Sequence, residues 1–166
     1  QKKRFTSVGS RNKNLWRFKK KALFRCYEKI TEFYPNPEPF ESVDLIESYR
    51  QFWRPNKARV LLLAESHVFT SQIDQSFTTQ KIEGLTNYPD RYARFVYCLA
   101  YGENSLIFDK SFKPKGGTPQ FWKVFFSCIN QVENNESFTP ILGKTSTEQR
   151  ILNKIELLNK LRDRGI

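Results

Sequence analysis

The stretch of sequence that most constrains the expected fold is ARVLLLAESH, residues 58–67. Ala58 to Ala64 form an apolar run interrupted only by Arg59, and the turn-forming residues 55–57 precede it. Such a run is typical of a parallel β-strand that is covered on both faces. We therefore expect an α/β protein, a three-layer α/β/α sandwich with a central parallel sheet.

Apolar residues at helical spacing surround this strand. They predict five helices, over residues 14–34, 42–53, 89–101, 119–130 and 146–164. Leu106-Ile107-Phe108 is a candidate second strand. The last helix is followed by Gly165 and then by Ile166, an apolar residue that would open the next strand in an α/β protein. We therefore expect a partial domain whose sheet is incomplete at the C-terminus.

The positive charge is concentrated at the N-terminus. Residues 1–30 contain eleven Lys and Arg and one acidic residue, Glu28, whereas the whole chain has a net charge of +11. Residues 1–13 show no periodicity, so they predict a flexible basic lead-in to a single domain over residues 14–166. Such an arm can bind phosphates by releasing counterions, or it can be a solvated surface, and both interpretations fit the sequence.

The cysteines and the apolar runs bear on the compartment. Cys26, Cys98 and Cys128 are widely spaced and lie in apolar helical patterns, which predicts buried thiols and fits neither a disulfide framework nor a zinc site. The longest apolar run is too short to cross a bilayer. The basic N-terminus has no apolar stretch behind it. We expect a cytoplasmic protein without membrane association, metal or cofactor.

The first candidate site follows the predicted strand. Ligands of open α/β sheets bind outside the carboxyl ends of the strands, which is where Glu65, Ser66 and His67 lie. His67 is the one histidine in the chain, so any imidazole chemistry depends on it. Glu65 can bind a polar ligand or orient water, and Ser66 lacks the surroundings of a hydrolase nucleophile. We predict these three as catalytic residues, although a solvated loop explains them as well.

The second candidate site is the start of the helix predicted over 119–130. Gly116-Gly117-Thr118 precede Pro119, and free N–H groups at a helix N-terminus can bind phosphate. The segment has neither the Walker pattern nor G-x-G-x-x-G, so we favour a tight turn as its explanation. The predicted nucleic-acid-binding residues are Lys19, Lys20, Lys21, Arg25, Lys115, Gly116, Gly117 and Thr118.

The order of these features over residues 30–166 resembles the uracil-DNA glycosylase superfamily. Tyr34-Pro35 leads into a helix that ends near Trp53, the buried strand and polar loop follow, and Gly117-Thr118-Pro119 and a long last helix come later. The resemblance implies the α/β/α sandwich. It also implies an enzyme that flips a damaged base out of DNA and hydrolyses its glycosidic bond with water.

The chain departs from that family at its first motif, which reads Gly, a variable residue, then Asp, Asn or Ala, then Pro. Ala64, Glu65, Ser66 and His67 stand at these places. Glu65 matches a Glu of the iron–sulfur branch, whose four cysteines exceed the three present here. Ser66 stands at the place of the water-activating group, and a neutral hydroxyl is a poor general base. The family's second motif, a His-containing loop, is not found in this sequence.

Three functions remain open from the sequence. The first is a divergent glycosylase acting on DNA, and the second is a non-catalytic nucleic-acid-binding module of the same fold. The third is a hydrolase or small-ligand protein, because a Glu-x-His pair at a strand end is also similar to erythromycin-esterase-like and haem-binding ChaN-like proteins. In that case Glu65 and His67 would carry the activity.

Overall fold

The structure is a computed structural model that describes residues 9–34, 36–63, 68–114, 116–117, 119–142 and 144–166. In these ranges the regular elements are helices. The α-helices are α1 (Gly9–Thr31), α2 (Phe40–Trp53), α3 (Gln72–Ser76), α4 (Pro119–Ser127), α5 (Thr139–Leu142) and α6 (Thr147–Arg164). Short 3-10 helices cover Asn104–Leu106 and Asn135–Phe138.

The predicted α/β/α sandwich is wrong. Within the described ranges, strand pairing consists of two isolated antiparallel bridges, Thr78 with Arg91 and Thr79 with Ile107. Ile107 therefore does not belong to a second strand. A helical protein with a few extended connections replaces the expected sheet.

The predicted strand over 58–64 is also wrong, since residues 58–63 are irregular and Ala64 lies outside the described residues. The N–H groups of Arg59 and Val60 both donate to the Gly165 carbonyl oxygen, at 2.7 and 3.1 Å. Leu61 and Leu63 remain 77% and 85% exposed. An apolar run favours a buried strand only if neighbouring strands and helices cover it, and the run itself carries no information about those neighbours.

Three predicted helices are confirmed with small shifts in their bounds: α2, α4 and α6. Their ends follow local signals. Pro119 opens α4 as a first-turn proline. The Ser146 hydroxyl caps α6 by accepting the Gln149 N–H, and Gly165 ends it with a φ of +80°. The first helix begins at Gly9 and ends at Thr31, instead of covering 14–34.

The helix predicted over 89–101 is wrong, because this segment consists of turns, bends and irregular backbone. The hydroxyl of the half-buried Tyr88 holds it by donating to the Tyr97 carbonyl at 2.7 Å and accepting the Leu99 N–H at 2.8 Å. The Tyr49 hydroxyl donates to the Arg91 carbonyl at 2.7 Å. These tyrosine hydroxyls satisfy backbone groups that a helix would otherwise pair with each other.

Helix α2 connects two apolar clusters of the core. Its Tyr49 is fully buried beside Tyr92 and Ile107, whereas its Trp53 packs one turn later against residues of α4 and α6. The second cluster also contains Cys98, which is buried as predicted. Cys26 is exposed and Cys128 is half-buried, so the prediction of three buried thiols is wrong for Cys26. In the part of the chain that the structure describes, none of the helices has the length and apolar character needed to cross a membrane.

Candidate functional site

The residues predicted to be catalytic, Glu65, Ser66 and His67, lie outside the described residues. The described residues on either side of them, Leu63 and Val68, both line a cleft of about 830 Å³, which we call the large cleft. Its walls are mostly apolar. They come from α2, from the loop residues 94–97, from α4 and from Leu161 of α6.

Charged side chains also line the large cleft. Arg50 lies over the Phe95 ring, with its guanidinium carbon 5.2 Å from the ring centroid. The Arg94 Nε atom lies 3.1 Å from the buried Asp74 carboxylate. Arg54 and Glu47 are the other charged lining residues in the part of the chain that the structure describes. The cleft therefore combines an apolar floor with several guanidinium groups.

The basic residues predicted on the first helix fall into two classes. The Lys19 Nζ donates to the Gln51 side chain at 2.9 Å, and Lys20 forms an ion pair with Asp44. Both contacts join α1 to α2. Lys21 and Arg25 are exposed, and the side chain of neither forms an ion pair or hydrogen bond with another described residue.

Aromatic contacts add to this junction between α1 and α2. The Phe24 and Phe40 rings meet edge to face at 4.8 Å between centroids. The Tyr27 hydroxyl donates to the Glu38 carbonyl at 2.7 Å. These contacts turn one side of α1 toward α2 and leave the other side exposed.

Lys29 extends the exposed set by one turn, because it is also exposed and lies four residues after Arg25. Residues four apart lie on one face of a helix. We call Lys21, Arg25 and Lys29 the basic face of α1. Lys29 is not among the nucleic-acid-binding residues predicted from the sequence, although its spacing from Lys21 and Arg25 is visible there.

Gly117 has a clear structural role. A Cβ atom on Gly117 would lie 2.6 Å from the Tyr101 carbonyl oxygen. Its neighbour across this contact is Gly102, whose φ of +107° suits glycine. Gly117 therefore passes close to the backbone of residues 101–102, which is a structural reason for glycine at this position. Lys115 and Thr118 lie outside the described residues.

Gly116 and Gly117 line a smaller cleft, of about 460 Å³, which is not among the sites predicted from the sequence. We call it the small cleft. Its charged lining residues in the described ranges are Glu103, Arg150 and Lys154, which we call the charge cluster. Trp122 and Tyr101 supply aromatic walls.

The charge cluster is tightly bonded. Arg150 donates from Nε and Nη2 to the two Glu103 carboxylate oxygens, each at 2.8 Å. The Lys154 Nζ donates to Glu103 Oε1 at 2.7 Å. The side chains of Glu103 and Lys154 are only 2% and 5% exposed. Two cations share one carboxylate, so the cluster carries one positive charge in excess.

Burial and pairing act in opposite directions on these groups. Burial raises the pKa of Glu103, but the hydrogen bonds and charges of Arg150 and Lys154 outweigh it, so that the net pKa is below the ordinary value. Burial lowers the pKa of Lys154, and its bond to Glu103 offsets this only in part. A positive charge on Lys154 in the cleft therefore carries an electrostatic cost.

Trp122 has an unused donor at the same place. Its side chain is buried, and its indole N–H has no acceptor among the described residues. The Lys154 Nζ lies 4.8 Å from the centroid of its ring, which is a cation–π distance. A buried donor without an acceptor is uncommon in folded proteins and often marks a place where a water or ligand binds.

One feature of the sequence could have indicated this cluster. Lys154 lies four residues before Leu158 and seven before Leu161, and so it occupies the apolar stripe of α6. A lysine in such a stripe is buried only with a partner. Nothing in the sequence identifies Glu103 as that partner, because it is distant along the chain. Comparison with protein-family models, with curated proteins and with solved structures found no match for this chain.

Proposed function

We propose that the protein binds nucleic acid through the basic face of α1, without catalysis by this surface. One observation carries the proposal: Lys21, Arg25 and Lys29 are exposed and have no ion-pair partner among the described residues. A cation that already pairs with a carboxylate has little attraction left for phosphate. An unpaired and solvated cation can neutralise a phosphate and release its counterion.

The geometry of α1 favours contact with a polyanion. A helix rises about 1.5 Å per residue, so charges four residues apart are separated by about 6 Å along the axis. The three side chains therefore form a continuous positive stripe. Further basic residues precede them along the chain, since residues 1–30 carry eleven Lys and Arg against Glu28 alone.

The contacts of α1 with α2 divide the predicted binding residues. Lys19 and Lys20 are held by Gln51 and Asp44, so we expect them to contribute less to binding than Lys21 and Arg25. The contribution is electrostatic and does not depend on base sequence. DNA and RNA of equal length and strandedness should therefore bind with similar affinity.

The test is fluorescence anisotropy with labelled oligonucleotides over a range of salt concentrations. Each phosphate contact contributes about 0.7 to 0.9 to the slope of log affinity against log salt. The triple variant Lys21→Gln, Arg25→Gln, Lys29→Gln should lower the magnitude of that slope by about 2 to 3. Affinity at low salt should fall accordingly.

A matched control removes the same charge elsewhere. Lys81, Lys113 and Lys144 are exposed and have no ion-pair partner among the described residues, so the variant with Gln at these three positions has the same net charge. It should keep most of the affinity and slope. Equal losses in the two triple variants would show that only net charge matters and would contradict the assignment to α1.

A second candidate function is excision of a damaged base with Glu65 and His67 as the acting groups. It is supported by Leu63 and Val68, which line the large cleft on both sides of these residues in the chain. The test is release of uracil or hypoxanthine from oligonucleotides by the wild-type chain and by Glu65→Gln and His67→Asn. Glu133→Gln, an exposed substitution elsewhere, is the control. Release that equals the protein-free reaction would exclude this function.

A further inference from the structure

We propose that the small cleft binds a phosphate ester with an apolar or aromatic substituent, held by Lys154, Arg150 and the Trp122 indole N–H. This binding is distinct from the contact of α1 with nucleic acid and does not depend on it. Four features of the cleft support it: excess charge, unused donors, apolar walls and an unpaired indole.

The charge of the cleft favours an anion. Arg150 and Lys154 carry two positive charges, and Glu103 neutralises one of them. Their low exposure means that water screens the remaining charge poorly. An anionic group in the cleft would restore neutrality where solvent cannot.

The cations have hydrogen-bond donors to spare. Arg150 uses Nε and Nη2 on Glu103, Nη1 on the Thr145 carbonyl and Nη2 again on the Thr147 hydroxyl, which leaves one N–H of Nη1. Lys154 uses one of its three N–H groups on Glu103. Both residues line the small cleft.

The backbone and Trp122 provide further donors. Within the described residues, the amides of Gly116 and Gly117 donate no hydrogen bond, and the Trp122 indole N–H is buried without an acceptor. A phosphate group offers three strong acceptor oxygens, whereas a carboxylate offers two. The larger number of acceptors fits the number of donors, and this favours phosphate.

The walls fit the rest of the ligand. Pro119, Trp122, Ile141 and Leu142 line the cleft together with Tyr101. A volume of about 460 Å³ accommodates more than a bare ion. An aromatic or apolar substituent on the phosphate would therefore contact these side chains.

The test follows the Trp122 indole N–H by ¹H–¹⁵N NMR, after assignment of its resonance with Trp122→Phe. Phenyl phosphate should shift this resonance to saturation at millimolar concentration and physiological salt. Inorganic phosphate should bind more weakly, because it lacks the ring. No saturable shift with phenyl phosphate, or an equal affinity for benzoate, would overturn the proposal.

Two variants on α6 distinguish binding at the small cleft from a general effect of the net charge of the protein. Lys154→Gln removes a cleft cation and keeps the Arg150–Glu103 pair, and it should weaken phenyl phosphate binding about tenfold or more, as expected for a charge-assisted bond. Lys160→Gln removes a cation whose partner is the exposed Glu156 and should leave binding unchanged. Equal effects of the two would overturn the proposal.

A check on folding keeps this result interpretable. Circular dichroism establishes that Lys154→Gln is folded. If it is not, Trp122→Phe replaces it in a calorimetric titration, because phenylalanine keeps a ring beside Lys154 but has no N–H. Its affinity for phenyl phosphate should fall severalfold, and unchanged affinity would contradict the role of the indole.

A further experiment distinguishes a phosphate of nucleic acid from that of a small phosphate ester as the ligand of the small cleft. A short single-stranded oligonucleotide is added to the Lys21→Gln, Arg25→Gln, Lys29→Gln variant, which removes the basic face of α1. A shift of the Trp122 resonance then supports a nucleic-acid phosphate as the ligand of the cleft. A shift with phenyl phosphate alone supports a small phosphate ester.

Discussion

The basic face of α1 and the charge cluster of the small cleft contain the same kinds of residue in opposite surroundings. Water solvates the cations of the basic face of α1, so their charge is available to any polyanion that approaches. Burial removes water from the cluster, so its cations depend on Glu103, and a ligand must enter the cleft to reach them. The surroundings of a cation, and not its residue type, decide whether it serves stability, recognition or both.

The cysteines provide the largest expected contrast between α1 and the core. Cys26 is exposed on α1 and Cys98 is buried, where burial raises the pKa of the Cys98 thiol. Cys98 becomes exposed only when the protein unfolds around it. For a core residue this opening can cost as much as global unfolding, which is about 5 kcal/mol or more. Alkylation of Cys98 should therefore be about 10³-fold or more slower than that of Cys26.

Iodoacetamide labelling followed by peptide mass spectrometry measures this ratio. In urea the two cysteines should react at similar rates, which serves as the internal control. Rapid labelling of Cys98 in the native protein would show that the second apolar cluster opens readily.

Replacing Glu103 should have the largest effect on stability. Glu103→Gln keeps the shape of the side chain but leaves the buried charges of Arg150 and Lys154 without a counter-charge. Loss of one partner of a buried ion pair costs about 3 kcal/mol or more. Urea denaturation should show this decrease, whereas Glu133→Gln, an exposed substitution, should leave the free energy of unfolding unchanged. A stable Glu103→Gln protein would show that the cluster contributes little to folding.

The stabilising effect of Glu103 should also depend on pH, and we expect this change in stability to be smaller than the loss caused by Glu103→Gln. The pKa of Glu103 is lowered in the folded protein, so its stabilising effect is fully present above its ordinary value of 4.5. That effect is lost as the pH falls through the lower pKa of the folded state. The stability difference between wild type and Glu103→Gln should therefore be constant near neutral pH and decrease in acid.

Urea denaturation of both proteins at a series of acidic pH values measures this difference. The other acidic groups change the free energy of unfolding of both proteins equally, so their contributions cancel in the difference. A difference that grows as the pH falls would mean that Glu103 has a raised pKa and that burial dominates over pairing.

The smallest effect on stability is expected for the basic face of α1. The triple variant Lys21→Gln, Arg25→Gln, Lys29→Gln removes three solvated charges that have no partner among the described residues. Its free energy of unfolding should equal that of wild type within error. Marked destabilisation, measured by the same urea assay, would show that these side chains hold the fold and would weaken the case for binding.

The helices that could be predicted are those with local signals. The Ser146 hydroxyl and Gly165 mark the two ends of α6, and the apolar stripe runs between them. Pro119 does the same for the start of α4. Caps and periodicity act over one or two turns, so the sequence contains all that is needed to recognise them.

The errors arose where distant residues decide the structure. Residues 58–63 have the composition of a buried strand, but a strand depends on hydrogen bonds and covering layers from elsewhere in the chain. The segment near Pro89 has helical spacing, yet the hydroxyls of Tyr49 and Tyr88 hold it in turns. Neither partner can be recognised from the segment itself.

The candidate sites divide in the same way. The sequence by itself determined that positive charge is concentrated in residues 1–30 and that a lysine interrupts the apolar stripe of α6. Only the tertiary structure decided that Lys20 pairs with Asp44, and that Lys154 meets Glu103. It also left Lys21 without an ion-pair partner among the described residues. Charge and periodicity are properties of neighbouring residues, whereas pairing and burial depend on which distant segments pack together.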